Sequence, residues 1–269
     1  GCLQWVVTTA RPDCAVPVST LARYVAQVPT RPLVNACKKA FKYLLTTRDL
    51  GIVYSPADEQ AFEETYQKLL PEGRSLPRLN LFSDAGFANC LKTMRSTSGS
   101  IMYWRGTPIV WRSNRQSVRA YSTAESEYIA CSDTIVLSET NDFMSFFQPA
   151  PKTLVESSFG TSPSLEEAVL WVDNQSAIST AKDSGTKPKS RHYALRYLRV
   201  RDHAEKIVFC PTNLMKADCL TKLVCSVPQR QMILNNISNP EIAGAEDDYS
   251  ESEEGNVMIC SSKFLAFSA

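Results

Sequence analysis

"LNLFSDAGFA", residues 79–88, is where the pattern of the chain changes. Upstream, "RPDCAVPVSTLARYVAQ" (11–27) and "RPLVNACKKAFKYLLTTRDLGIVY" (31–54) have helical spacing. Apolar positions 33, 34, 37, 41, 44 and 45 share a face, and Asp49-Leu50-Gly51 supplies a stop. Residues 79–88 instead read as a strand. "TSGSIMYWRG" (97–106) and "PIVWRSNRQ" (108–116) add two more, joined in a hairpin at Gly106-Thr107. A helix is expected from about Thr123 to Val136. "AVLWVDN" (168–174) is a continuous apolar run ending in Asp, typical of a central strand. A short helix, "QSAISTAKD", and a basic helix, "SRHYALRYLRVRDHAEK", come next. The strand "IVFCP" and a last helix, "NLMKADCLTKL", close the series. The order is β-β-β-α-β-α-α-β-α. The polar stretch 55–78 reads as a linker with room for a helical turn, and 149–164 as a Pro- and Ser-rich loop.

Of 269 residues, 43% are hydrophobic and 21% charged, ordinary for a globular chain with a sizeable core. The net charge of +1 hides a division. Residues 78–225 carry 18 Lys+Arg against 14 Asp+Glu, whereas 226–269 carry 2 against 7. That acidic end reads as disordered. Nine cysteines without a CxxC pair, and two histidines far from paired thiols, argue against zinc and for reduced core thiols. No apolar run reaches the ~18 residues that span a membrane. The start lacks a methionine and a secretory pattern, so an intracellular chain cut from something longer is expected, not a secreted one.

Four carboxylates stand at element ends: Asp84, Glu127, Asp173 and Asp218. Each alone can be a cap, a turn former or a solvated side chain. Together they carry more. The first and fourth strands of such a sheet commonly neighbour each other, which brings Asp84 and Asp173 together above it. A crossing helix adds a third acid. Carboxylates crowded without a basic partner repel and persist only if cations hold them. Hard oxygen ligands suit Mg2+ or Mn2+, and a pair of such ions clamps a phosphodiester. Glu125 and Glu127 point about 160° apart on a helix, so only one can join. Helical geometry does not decide which.

"LFSDAGFANCLKTMRSTSGSIMYWRGTPIVWRSNRQSVRAYSTAESEYIA", "WVDNQSAI", "SRHYALRYLRVRD" and "CPTNLMKADCLTK" together resemble the RNase H domain of copia-type retrotransposon Pol polyproteins. The N-terminal helices are similar to the segment joining reverse transcriptase to that domain. The resemblance implies an RNase H-like three-layer α/β fold, a five-stranded mixed sheet flanked by helices, preceded by a small helical segment. It implies three regions: 1–77 as a connection and linker, 78–225 as the RNase H-like domain, and 226–269 as the acidic end. It also implies two-metal hydrolysis of the RNA strand of an RNA–DNA hybrid. Asp84, Glu127, Asp173 and Asp218 would be the catalytic and metal-binding set, Asp84 and Asp173 bridging two Mg2+ (or Mn2+) ions. The expected partners are the hybrid and the rest of the polyprotein, with no membrane, in cytoplasm, nucleus or virus-like particles.

The chain departs from the family in places. "SDAGFAN" stands where members usually read "SDADWAG", and "FCPTNLMKA" holds no His before the last Asp. Residues 138–168 match poorly. No polymerase palm is present, so this chain alone does not polymerise. Shape, backbone and 2′-OH contacts recognise a hybrid. Candidate contacts are Ser83, Arg112, Arg115, Arg119, Asn174, Gln175, Lys189, Arg191 and Arg196. Two rivals are a degenerate fragment that binds nucleic acid or a partner without cutting, and an integrase. The early glutamate and the late aspartate disfavour the integrase.

Overall fold

The structure is a computed structural model that describes residues 1–140, 168–183 and 191–222, together with the backbone of 237–238. The loop expected at 149–164 and nearly all of the acidic end fall outside the described residues.

The five-stranded sheet has the order β4 (Thr107–Arg115), β3 (Arg95–Trp104), β2 (Leu79–Cys90), β5 (Val169–Val172), β6 (Ile207–Phe209). Strands β2, β3 and β4 form an antiparallel meander. The β3–β4 turn has two left-handed residues, Arg105 (φ 46°) and Gly106 (φ 78°), the backbone that a tight two-residue hairpin requires. Strands β5 and β6 add in parallel on the other edge of β2. The first and fourth strands of the sheet are thus neighbours, as the sequence predicts. A two-residue strand β1 (Gly51–Ile52) pairs separately with β7 (Ile237–Ser238).

Both faces of the sheet are covered. On one face lie α5 (Thr123–Thr140), α6 (Gln175–Lys182) and α7 (Arg191–Asp202). There Leu79, Leu81, Met102, Leu170 and Val172 meet Tyr128, Cys131, Ile135, Tyr197 and Val200. Helix α5 is buried almost all round, so it carries small hydroxyl residues that bond to their own helix. Thr134 Oγ1 donates to the Ala130 carbonyl at 2.9 Å and Ser138 Oγ to Ile135 at 2.7 Å.

On the opposite face lies the N-terminal segment: α1 (Cys2–Thr9), a 3-10 turn at Pro12–Cys14, α2 (Ala15–Ala22) and α4 (Pro56–Tyr66). Helix α3 (Arg31–Thr46) packs on α2. Val7, Cys14, Ala15, Val18, Phe62 and Tyr66 share one core with Phe82, Ile101, Tyr103, Trp111, Val169 and Trp171. Trp111 Nε1 donates to the Val7 carbonyl at 2.7 Å, and Tyr66 hydroxyl to the Leu214 carbonyl at 2.7 Å. Packing therefore runs without a break across position 77/78.

Three sequence expectations change. The stretch 55–78 is not merely a linker, because α4 occupies eleven of its residues. Ser55 caps that helix, Pro56 opens it, and Phe62 and Tyr66 face the core. The expected last helix is instead two 3-10 turns, Thr212–Leu214 and Asp218–Leu220. Helix α1 was not expected at all: its Val6, Val7, Thr8 and Thr9 are weak helix formers, and packing of Val7 holds it. Among the described residues, no helix is long and apolar enough to cross a membrane, and the cysteines are free thiols.

Candidate metal centre

Four elements bring the carboxylates together at one end of the sheet. Asp84 follows Ser83, where β2 stops pairing with Val172 of β5, and Asp173 is the next residue after β5. Parallel neighbours ending together set both acids on one rim. Helix α5 packs across β2 and β3 from the other face and delivers Glu127, which accepts a hydrogen bond from the Ala85 backbone N–H. One oxygen each of Asp84, Glu127 and Asp173 lie within 4.8 Å of one another.

The helix cap settles the question between the two glutamates. Ser122 Oγ accepts from the Glu125 N–H at 3.1 Å, and the Glu125 carboxylate accepts from the Tyr121 N–H at 2.7 Å. This is a reciprocal cap at the start of α5. Glu125 is thereby held at the exposed helix end, and Glu127 turns inward with 7% of its surface exposed.

Asp218 opens the second 3-10 turn and is buried. That turn presses on β3 at Gly99, the residue directly opposite Asp84. A Cβ on Gly99 would sit 2.8 Å from the Ala217 carbonyl and 2.7 Å from Thr221 Cγ2. The glycine is what lets Asp218 and Thr221 approach. Thr221 Oγ1 donates to Asp84 at 2.5 Å, and Thr212 Oγ1 to Asp173 at 3.2 Å. Gly99→Ala should therefore push the turn outward. It is expected to cost about 1–3 kcal/mol of stability by overpacking and to weaken Mg2+ binding. Urea unfolding and calorimetric titration read the two effects separately.

The electrostatics are those of carboxylates crowded in the protein interior. Burial, then the charges of Asp84 and Asp173, push the Glu127 carboxyl up to about 10. Burial, with the Asp218 and Asp173 charges, raises Asp84 to about 7 against the Thr221 hydrogen bond. Burial also raises Asp173, opposed by Thr212. Glu127 Oε2 and Asp218 Oδ2 are buried without a hydrogen-bond partner. Once ionised, these oxygens are acceptor-only, and without a donor beside them in the interior they call for a cation. Oxygens on opposite sides of one Mg2+ stand about 4.2 Å apart, from its ~2.1 Å bonds. The observed 4.8 Å limit therefore needs only a small inward shift. Among the described residues, this is the one group of three or more acids, histidines or cysteines with such spacing.

The expectation of acids without a basic neighbour needs correction. Lys222 Nζ bonds Asp218, four residues earlier, and its ammonium stands over that side of the cluster. The four-residue spacing of Asp218 and Lys222 is in the sequence and would pair them on a helix too; the 3-10 turn keeps that pairing and places it beside the cluster.

The candidate contact residues do not form one patch. Ser83 is fully buried on the face that α5 covers, because adjacent strand residues alternate sides, so it does not face a phosphate. Arg112 lies on that same face beside Asp133, where Arg196 also acts; Arg196 donates to Ser117 Oγ at 3.0 Å. Arg115 lies on the opposite face, near Cys90, and Arg119 donates to the Thr93 carbonyl at 2.8 Å. Asn174 caps α6 by accepting from the Ala177 N–H, and Gln175 is exposed beside it. Lys189 and the Arg191 side chain lie outside the described residues.

No protein-family model matches the chain. It is 28% identical over 232 residues, 83% of its length, to the retrovirus-related Pol polyprotein from transposon TNT 1-94 of Nicotiana tabacum. It is 29% identical over 226 residues, 82% of its length, to the retrovirus-related Pol polyprotein from transposon RE2 of Arabidopsis thaliana. The chain spans 15% and 13% of those two polyproteins. A stretch of 133 residues, 49% of the chain, is 28% identical to secreted RxLR effector protein 161 of Plasmopara viticola and covers 81% of it.

Proposed function

We propose, from the likeness to transposon Pol polyproteins, that this chain is a retrotransposon-derived ribonuclease H that hydrolyses the RNA strand of RNA–DNA hybrids. The observation that carries this reading is the convergence of three buried or half-buried carboxylates within 4.8 Å, with Asp218 beside them. Asp84, Glu127, Asp173 and Asp218 would hold two Mg2+ or Mn2+ ions. Bound there, such ions supply positive charge to the attacking and leaving oxygens of a phosphodiester.

The chain's own groups prepare the site. Thr221 and Thr212 orient Asp84 and Asp173 by donating to them. Asp173, the least buried of the four, leaves an approach for a phosphate. Asn174 is spent on capping α6, which fixes the backbone next to Asp173. The remainder of a Pol polyprotein is the expected partner, and the expected setting is intracellular.

One observation favours a second reading, a fragment that binds nucleic acid without cutting: the Lys222 ammonium already sits on Asp218. The deciding experiment incubates the chain with labelled hybrid and Mg2+ or Mn2+, then with chelator. The expected result is metal-dependent shortening of the RNA strand, an intact DNA strand and no attack on duplex RNA. A folded chain that binds hybrid but leaves the RNA whole with either metal would establish the second reading.

A further inference from the structure

Two long stretches of the chain hold no acid. From Cys14 to Arg48 there are six Lys or Arg and no Asp or Glu, and from Ala85 to Ala124 again six and none. They meet where α2 crosses β4, and Ser19 Oγ lies 3.5 Å from Ser113 Oγ. Arg23 is one helical turn beyond Ser19, and Arg115 is two residues beyond Ser113 on the same strand face.

Sheet register relates this point to the carboxylates. Asp84, Gly99 and Ser113 form one row across β2, β3 and β4; Gly86, Thr97 and Arg115 form the next row on that face. Two residues along and two strands across place the Arg115 backbone about 12 Å from that of Asp84. Around it the tip of the β2–β3 hairpin collects more charge. Arg115 Nη1 is 3.7 Å from Cys90 Sγ, Arg119 Nε is bonded to the Thr93 carbonyl, and Lys92 is exposed. Among the described residues, Arg23, Arg115 and Arg119 have no carboxylate partner.

We propose that Arg23, Arg115 and Arg119 form a backbone-phosphate site, built jointly by the N-terminal helices and the hairpin, that holds nucleic acid beside the carboxylate centre. The proposal rests on the nuclease reading and extends its substrate contacts into the N-terminal layer. Guanidinium forks fit phosphate oxygens in pairs, and like charges facing each other without a counter-ion favour an anion between them. Burial and then the Arg115 charge make Arg23 a weaker base than usual, as an uncompensated pair requires. Burial would raise the Cys90 thiol, yet bonds from Thr93 and Arg115 draw it down to about 7, which fits a positive field at the tip.

The test uses the full chain, a labelled RNA–DNA hybrid and EDTA, so that binding is read without cleavage. Affinity is measured over a range of salt for the unaltered chain, Arg23→Gln/Arg115→Gln and Arg23→Lys. The double variant is expected to bind at least about tenfold more weakly, with a salt slope shallower by about two contacts; Arg23→Lys should keep most of both. Circular dichroism checks that each variant folds. Unchanged affinity and slope in the double variant, with cleavage by the unaltered chain intact, overturns this site and leaves the nuclease reading standing. Weaker binding with an unchanged slope also overturns it, because no phosphate contact was removed. An unaltered chain that neither binds nor cuts hybrid overturns both.

Discussion

Asp84→Asn should abolish hybrid cleavage and, in the same protein, raise the unfolding temperature of the metal-free chain at pH 8. The two effects share one cause. The folded chain holds a proton on Asp84 up to about pH 7, whereas an unfolded Asp releases it near 3.8. The native state therefore binds more protons across that window. Stability falls as pH rises from about 4 to 7 and levels off above, by up to about 1.4 kcal/mol per pH unit. Glu127, pushed up to about 10, extends the decline to higher pH. Asn removes the ionisation cost at position 84 and can still accept the Thr221 hydrogen bond. Mg2+ or Mn2+ should stabilise the unaltered chain by binding the ionised carboxylates, and more at pH 8 than at pH 5. The same ions should leave Asp84→Asn nearly unmoved. Thermal melts at both pH values, with metal and with chelator, check each arm. A metal-free variant less stable than the unaltered chain at pH 8 would sink the account.

Arg11→Ala should cost about 3–5 kcal/mol, the usual toll of leaving one partner of a buried ion pair alone. Arg11 and Asp13 are 4% and 7% exposed, and two bonds of 2.9 and 2.7 Å join them. Arg11 also donates to the carbonyl and hydroxyl of Thr47, and the Tyr43 hydroxyl donates to Asp13 at 2.9 Å. These bonds tie the turn before α2 to the last turn of α3. Removing Arg11 leaves a buried carboxylate and frees the end of α3. Urea unfolding should show the lower midpoint, and amide exchange should quicken in α3 before it does in β2. Arg11→Met/Asp13→Leu should recover most of the loss, because it leaves no charge unpaired.

The strands were legible because their apolar runs and the hairpin glycine are local signals. Asp84 and Asp173 were legible because parallel neighbours end at the same rim. Helical geometry did not separate Glu127 from Glu125; the resemblance pointed to Glu127, and the physical reason is a cap that Ser122 and the Tyr121 N–H complete. In 55–78 the cues of Ser55, Pro56 and the Phe62–Tyr66 spacing were present, but the acids between them outweighed these cues. The turn at Asp218–Leu220 was beyond local reading. It packs against a distant glycine on β3, a contact that no local pattern displays.

The N-terminal helices bear on how such a domain can be inherited. Phe82, Ile101 and Trp171 are sealed from water by Val7, Cys14, Phe62 and Tyr66. A coding segment beginning at Leu79 would keep all four carboxylates of the candidate metal centre. It would also lay bare a broad aromatic sheet face, prone to stick to its own copies. Recombination that moves this domain to a new genetic context must therefore carry the preceding helices with it, or supply another cover for that face.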